Sequence, residues 1–333
     1  MKVLLTGATG FLGRTVGRHL ANHGHALRVL ARPTSRLEGL PEAFEVAAGD
    51  VADALSLRAA AEGCGAVVHM AALARTWLPD PNCFEGVNVG GLVNALAAAR
   101  AAGARLVYTS SFVALGPSGA LTLDGSRPHP GPPFRTAYER TRARADALAR
   151  EAAAGGQDVV TLYPGVIYGP GDMTHGNSVT RMIADHLNGR PPTLVGSADR
   201  RWSYAFVEDV AEGHALALET GRPGDRFVLG GENATLARLL DLVREIAGTP
   251  PPRLRLPYGV ASVLGRAQWL WAELTGLPPQ LTHGEVDVFR EEWACDSARA
   301  ARELGYEWRP LAEGLRETVR WLRDTGQVPR RAA

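Results

Sequence analysis

The chain lacks an excess of charge of either sign: its 333 residues carry 36 Lys and Arg against 35 Asp and Glu. No global field recruits nucleic acid or an anionic surface, so the expected partner is a small-molecule substrate and not a nucleic acid. Cysteine is scarce. Cys64, Cys83 and Cys295 are odd in number and far apart, which suits neither a disulfide framework nor a zinc site and makes a reducing cytoplasm the expected location. No charged leader with an apolar core precedes the first apolar residues, so no signal peptide is expected. His175 and His214 have no partners at ligand spacing, and no metal is expected. Long hydrophobic runs are missing as well. The most apolar late stretch, Leu256 to Leu277, is broken by Pro257, Gly265, Arg266, Gln268 and Glu273, too often for a membrane span. It reads as a helix packed on the core, compatible with a wall over a substrate pocket, and a membrane-surface contact is the alternative.

What is present is an ordinary globular composition, 45% hydrophobic and 21% charged. Short β-rich runs at Val3–Leu5, Ala26–Ala31, Phe44–Ala47, Ala66–Ala71, Arg105–Thr109 and Val159–Leu162 alternate with helical stretches at Arg14–His23, Leu55–Glu62, Val89–Ala102 and Tyr138–Ala154. That order predicts an α/β chain: a Rossmann-type doubly wound parallel sheet with a smaller, mostly helical C-terminal substrate lobe. After Gly169 the rhythm changes, with Pro and Gly clusters and helical stretches from Thr235 onward. The expected division is a dinucleotide-binding domain over 1–165 with a return segment at about 205–230, and a substrate lobe over 166–204 and 231–327. Arg226–Leu229 is expected to rejoin the main sheet.

The loop Gly7-Ala8-Thr9-Gly10-Phe11-Leu12-Gly13 follows a predicted strand and opens a helix. Phosphate binding there needs a tight turn, a backbone free of Cβ atoms near the pyrophosphate, and helix N–H groups left open, which Gly7, Gly10 and Gly13 can supply. The bland alternative is a glycine-rich turn with no ligand. At the end of the second strand the chain has Arg32, with Arg36 nearby and no carboxylate before Glu38. An arginine suits the 2′-phosphate of NADP, where an acidic residue would hold the ribose of NAD. NADP(H) is therefore favoured and NAD(H) stays open, since Arg32 could equally be a solvated surface residue. Asp50, after the third strand, is placed either to accept from an adenine amino group or to cap the next helix.

Hydride transfer to a carbonyl needs an acid/base beside the reacting oxygen. Ser111 follows a strand on the carboxyl edge of the sheet, and Tyr138 begins a helix with Arg142 one turn later on the same face. A free tyrosine ionises near pH 10, so a neighbouring cation is needed, and Arg142 can provide it. The competing view treats Arg142 as part of a solvated basic face with Arg135, Arg140, Arg144 and Arg150. Trp202, Ser203, Tyr204 and the stretch around Trp269 are candidates for an apolar pocket, although aromatics more often fill cores.

These motifs together resemble the extended short-chain dehydrogenases/reductases of the NAD-dependent epimerase/dehydratase superfamily: Thr6–Gly13, His69-Met70-Ala71-Ala72, Tyr108-Thr109-Ser110-Ser111 and Tyr138 stand in that family's order. Trp77–Pro81, Asn88–Gly91, Leu162–Gly171, Asn233–Thr235 and Leu304–Tyr306 extend the likeness to dihydroflavonol-4-reductase-like proteins, with plant farnesol dehydrogenases the nearest in pattern. The resemblance implies a cofactor site that takes in Thr9, Phe11, Leu12, Val51, Ala71, Ala72, Thr109 and the run Tyr163-Pro164-Gly165-Val166. It also implies Tyr138 as acid/base, Ser111 on the substrate oxygen and Arg142 on the ribose, and is compatible with a homodimer. One departure stands out: the family pattern Tyr-x-x-x-Lys ends here in Arg142, a planar fork in place of a compact ammonium.

The expected function is NAD(P)-dependent interconversion of an alcohol and a ketone or aldehyde on a hydrophobic small molecule of isoprenoid, steroid-like or phenolic type. A nucleotide-sugar epimerase or dehydratase is the second reading, for which Arg181, Arg190, Arg200 and Arg201 could serve a diphosphate. A non-catalytic dinucleotide-binding sensor is the third.

Overall fold

The computed structural model describes residues 1–40, 43–251 and 254–329. Its first half alternates strand and helix: β1 (Lys2–Thr6), α1 (Phe11–Asn22), β2 (Ala26–Ala31), β3 (Phe44–Ala48), α2 (Ala54–Ala61), β4 (Ala66–His69), the single turn α3 (Asn82–Phe84), α4 (Gly91–Ala102), β5 (Arg105–Thr109), α5 (Ala137–Ala154) and β6 (Val159–Pro164). The second half runs β7 (Val166–Tyr168), α6 (Ser178–Leu187), β8 (Leu194–Val195), β9 (Arg201–Phe206), α7 (Val207–Thr220), β10 (Arg226–Leu229), β11 (Glu232–Thr235), α8 (Leu236–Ala247), β12 (Arg255–Leu256), α9 (Tyr258–Thr275), α10 (His283–Phe289), α11 (Ala298–Leu304) and α12 (Leu311–Asp324).

The main sheet has the order β3-β2-β1-β4-β5-β6-β10, and every neighbouring pair is parallel. Because both faces are covered, β1 sends Val3 and Leu5 into one core with Val16 and Leu20 of α1, and Leu4 into the other with Leu57 and Leu92. Arg226–Leu229 does rejoin this sheet, beside β6. The strand order reverses direction at β1 and β4, which opens a crevice beyond their carboxyl ends.

Several boundaries differ from the sequence expectation for identifiable reasons. Helix α1 begins at Phe11, not Arg14, since Gly10 is its N-cap. β4 stops at His69, short of Ala71, because the Ala71 amide turns to Thr6 Oγ1 at 3.4 Å. The helix expected from Val89 starts earlier, as the turn α3 followed by a π-helical stretch over Glu85–Gly90. That bulge presents Asn88, whose Oδ1 accepts from the Leu73 amide at 2.8 Å and whose Nδ2 donates to Thr141 at 3.0 Å. The C-terminal lobe carries a small sheet, β11-β9-β7, and a two-stranded pair, β12-β8, among its helices.

Helix α9 departs most from expectation. Its inner face packs through Ala261, Gly265 and Ala272, and Trp269 meets His283 edge-on. Its outer face is apolar and open to solvent. Only half of the helix is therefore the core element the sequence suggested. No helix among the described residues is long and apolar enough to cross a membrane.

Helices α1 and α7 are joined by an imidazole–carboxylate network. Both ring nitrogens of His19 face carboxylates, Nε2 at 2.7 Å from Glu208 and Nδ1 at 2.9 Å from Glu212, so the imidazolium is favoured; His23 adds Glu219 at 3.0 Å. The hydrogen bond to Glu208 raises the His19 pKa above its ordinary 6.5, against the opposing effect of burial. A raised folded pKa means this stabilisation is complete below about pH 6.5 and fades as pH climbs through the folded value. The Glu208 carboxyl is held below its usual range despite its burial, because His19 and Arg18 bond it. The melting temperature is accordingly expected to fall as pH rises above about 6.5, and His19→Gln to flatten that slope. Thermal denaturation of the two proteins across this range checks it, and an unchanged slope in the variant would exclude the network as its source.

Candidate active site

One cavity of about 1080 Å³ lies beyond the carboxyl ends of the main sheet, bounded by the loop after β1 on one side and by the C-terminal lobe on the other. Gly7 sits at φ +74°, and a Cβ there would meet the Ala71 amide nitrogen at 2.7 Å. At Gly13 a Cβ would lie 2.1 Å from the Gly7 carbonyl oxygen. Gly13 thus lets α1 pack on the loop after β1, and Gly7 lets that loop pack on the segment after β4, both at backbone distance. Gly10, whose amide donates to the Gly7 carbonyl at 3.0 Å, caps α1 without any side-chain acceptor over the first turn. Open N–H groups at a helix start form an anion site.

Thr9, Phe11 and Leu12 line the same cavity beside the three glycines, as do Arg32 and Ser35 after β2, Asp50 and Val51 after β3, and Ala71 and Ala72 after β4. The Arg32 amide donates to Ser35 Oγ at 3.1 Å, and no carboxylate among the described residues pairs with the exposed Arg32 guanidinium. Asp50 is not the cap of α2. Asp53 is, with its carboxylate accepting from Leu55 at 3.0 Å, while Asp50 closes a short turn onto the Ala52 amide.

Strand β5 delivers Thr109, Ser110 and Ser111 to the cavity wall, and α5 delivers Tyr138. The start of α5 is fixed by Thr136, whose side chain accepts from the Glu139 amide at 3.0 Å. Glu139, almost fully buried, binds the Arg135 amide at 2.7 Å and His129 at 3.1 Å. Burial opposes its charge, but these partners hold the carboxyl below the usual range. Tyr138 is thus set at a helix start that cannot drift.

Arg142 is not part of a solvated face: it is buried, at 3% exposure. Its Nη2 donates to the carbonyls of Thr109 (2.8 Å) and Ser110 (2.7 Å), its Nη1 reaches the Tyr108 hydroxyl at 3.4 Å, and its guanidinium carbon lies 5.8 Å from the Tyr138 ring centre. Burial works against its charge, yet Tyr108, Tyr138 and Asp146 keep its pKa above the ordinary value, so it is a permanent cation. Behind this group, burial and the Arg142 charge push His69 down to about 3, and the neutral ring pairs with Thr6 Oγ1 at 2.8 Å. His214 is likewise neutral, lowered to about 4 by burial; Nδ1 donates to the Val210 carbonyl, which leaves Nε2 to accept from Thr109 Oγ1 at 2.9 Å. Ser110 Oγ is buried with no partner among the described residues.

Pro164, Gly165 and Val166 reach the cavity, but Tyr163 does not. Its hydroxyl donates to Asp146 at 2.5 Å and accepts from Arg150 at 3.0 Å on the far side of β6. Trp202 and Tyr204 line the wall as expected, joined by Phe112, Val113, Phe289 and Trp293, which no local sequence signal marks. Ser203 instead supports the backbone, accepting from the Gly231 amide at 3.0 Å, and Trp269 stays outside the cavity. Among the described residues no group of three or more His, Cys, Asp or Glu is arranged to hold a metal ion.

Residues 3–230 match the NAD dependent epimerase/dehydratase family. Sterol demethylase protein B of Methylococcus capsulatus is 33% identical over 98% of this chain and 100% of its own length. The 2-alkyl-3-oxoalkanoate reductase of Stenotrophomonas maltophilia is 30% identical, covering 95% of this chain and 98% of its own. The crystal structure of gox2253 superposes with a TM-score of 0.83 at 33% identity, covering 98% of this chain and 99% of that one.

The glycine contacts make a direct prediction. Gly13→Ala forces the backbone of α1 away from Gly7, and dinucleotide affinity is expected to fall by about tenfold or more, a loss of about 1.4 kcal/mol or more. Titration of NADPH fluorescence checks this; wild-type affinity in the variant would mean that the loop does not cradle the pyrophosphate.

Proposed function

Because this chain belongs to the NAD-dependent epimerase/dehydratase family, as an NAD(P)-dependent enzyme of the extended short-chain dehydrogenase/reductase type, we propose that it is an NADP(H)-preferring oxidoreductase that interconverts a carbonyl and an alcohol on a hydrophobic small molecule. One observation carries this reading: the glycine cradle, Ser111, Tyr138 and an aromatic and aliphatic wall share a single cavity. The chemistry of the donors fits a dinucleotide. An uncapped helix start suits its pyrophosphate, Arg32, which pairs with no carboxylate among the described residues, suits a 2′-phosphate together with Ser35, and Asp50, released from helix capping, suits the adenine amino group.

When bound, the nicotinamide supplies the hydride for carbonyl reduction or accepts it in the reverse direction. The residues of this chain handle the oxygen. Ser111 orients the substrate oxygen by a hydrogen bond, and the Tyr138 hydroxyl gives it a proton during reduction, while in oxidation the deprotonated Tyr138 oxygen takes the alcohol proton. Arg142 keeps a fixed positive charge beside Tyr138 and braces the carbonyls of Thr109 and Ser110, which sets the height of Ser111 over the cavity. The wall made by Phe112, Val113, Trp202, Phe289 and Trp293 accepts an apolar body and offers it few hydrogen bonds. Relatives named for sterols and alkyl oxoalkanoates support substrates of that kind.

The nucleotide-sugar reading needs a basic site for a diphosphate. Of its candidates, Arg190 is engaged with Asp185 and Arg201 with Glu292, and only Arg200 borders the cavity. That distribution favours the apolar substrate. Mass spectrometry of any ligand that co-purifies, together with NADPH and NADH titrations, separates the readings: tightly held NAD with turnover of a nucleotide sugar would replace this proposal, and cofactor binding without turnover of any carbonyl would point to a sensor.

Tyr138→Phe is expected to lower kcat by about 10²–10⁴ while sparing NADPH affinity. Arg142→Lys keeps the charge but cannot hold both carbonyls through one planar fork, so kcat is expected to drop by about tenfold or more with a smaller change in KM. Steady-state kinetics on a carbonyl panel checks both. Undiminished turnover in Tyr138→Phe would remove it from the mechanism.

A further inference from the structure

Helix α9 is amphipathic in the wrong sense for a buried element. Val260, Val263, Leu264, Ala267, Leu270, Trp271 and Leu274 recur at three- and four-residue spacing on one side, and all of them are exposed, Val263 at 68%, Trp271 at 62% and Leu274 at 75%. Beyond the two ends of the helix, Leu254 and Leu277 are exposed as well, at 63% and 60%. A continuous apolar stripe of this size on a folded surface marks an interaction site. The helix, about 27 Å long at 1.5 Å per residue, is too short and too interrupted to cross a bilayer but suited to lie along one.

Two further observations identify what covers it. The first is continuity with the cavity: Leu264 belongs both to the outward stripe, at 44% exposure, and to the cavity wall, with Gln268 and Leu281 beside it. The stripe therefore meets the cavity at its rim. The second is charge. Exposed Arg255 precedes the helix, Arg266 flanks the stripe and Arg75 borders the cavity, and none of the three has a carboxylate partner among the described residues. The one acidic residue on the helix, Glu273, accepts from the Trp77 indole at 2.9 Å and keeps its charge, so the positive side chains lie around the helix more than on it. An apolar stripe with an outward tryptophan, with one arginine on the helix and others before it and at the cavity that pair with no carboxylate among the described residues, complements an anionic lipid surface. A second copy of this chain seated on the stripe would cover Leu264 and close the rim, which disfavours a dimer there.

We infer that the outer face of α9 docks on the surface of an anionic lipid bilayer and turns the mouth of the cavity toward it, so that an apolar substrate enters from the lipid. The entry route rests on the function proposed above; the docking does not, and it is read without turnover. The experiment is co-sedimentation of the full chain with vesicles of phosphatidylcholine containing phosphatidylglycerol, beside the double variant Val263→Glu/Leu270→Glu. Neither side chain lines the cavity, and both are exposed, so the variant is expected to keep its melting temperature and NADPH affinity. Wild-type protein is expected to sediment with the vesicles, less so at high salt, and the variant to lose about tenfold or more of that binding. Failure of the wild type to bind, or equal binding by the variant, overturns the inference. Concentration-dependent self-association seen by light scattering and abolished by the variant, without vesicle binding, assigns the stripe to a second copy and overturns it as well.

Discussion

The approach of Gly13 to the Gly7 carbonyl is the contact on which the molecule turns. No side chain fits between α1 and the end of β1, so the helix start lies against the sheet edge and its free amides face the crevice between β1 and β4. Everything downstream is measured from that point. Gly7 in turn abuts the Ala71 amide, which fixes where the chain leaves β4, and Asn88 on the π-helical bulge holds the loop that follows by the Leu73 amide. A single methyl group at either glycine would displace several segments that all border one cavity.

The end of the cavity at Ser111 and Tyr138 is backed by groups whose charge states do not change near neutral pH. Burial keeps His69 and His214 neutral, and Arg142 stays charged because the carbonyls of Thr109 and Ser110 and the neighbouring tyrosines compensate for its lost hydration. The three groups are linked through β5: His214 accepts from the Thr109 hydroxyl while Arg142 grips the Thr109 carbonyl. The imidazole of His19, which lies between α1 and α7 and outside the cavity, is by contrast raised above its ordinary pKa by its carboxylate partners.

Much of this could be read from the chain because the governing signals are local. A strand, a glycine loop and a helix start lie within the first twenty residues, and the Tyr138–Arg142 pair is one helical turn apart. The parts that escaped are those where a local pattern is silent about direction. Residues of β6 are buried on both faces, so no alternation told which way Tyr163 points. The stripe on α9 has the period of any amphipathic helix, and a period carries no sign for inward or outward. Asp50 and Asp53 both precede α2, and only Asp53 is adjacent to its first residue. Phe289 and Trp293 reach the wall from the far end of the chain, through contacts between segments that no spacing announces.

The cavity also has a consequence for how such a protein diversifies. The groups proposed above for the reacting centre, Ser111, Tyr138 and Arg142, come from segments before residue 165, whereas much of the apolar wall, including Trp202, Phe289 and Trp293, comes from segments after it. Inherited variation in the later segments can therefore reshape what is admitted while the earlier ones go on performing the same chemistry. Chains of common descent can then differ in diet without differing in trade.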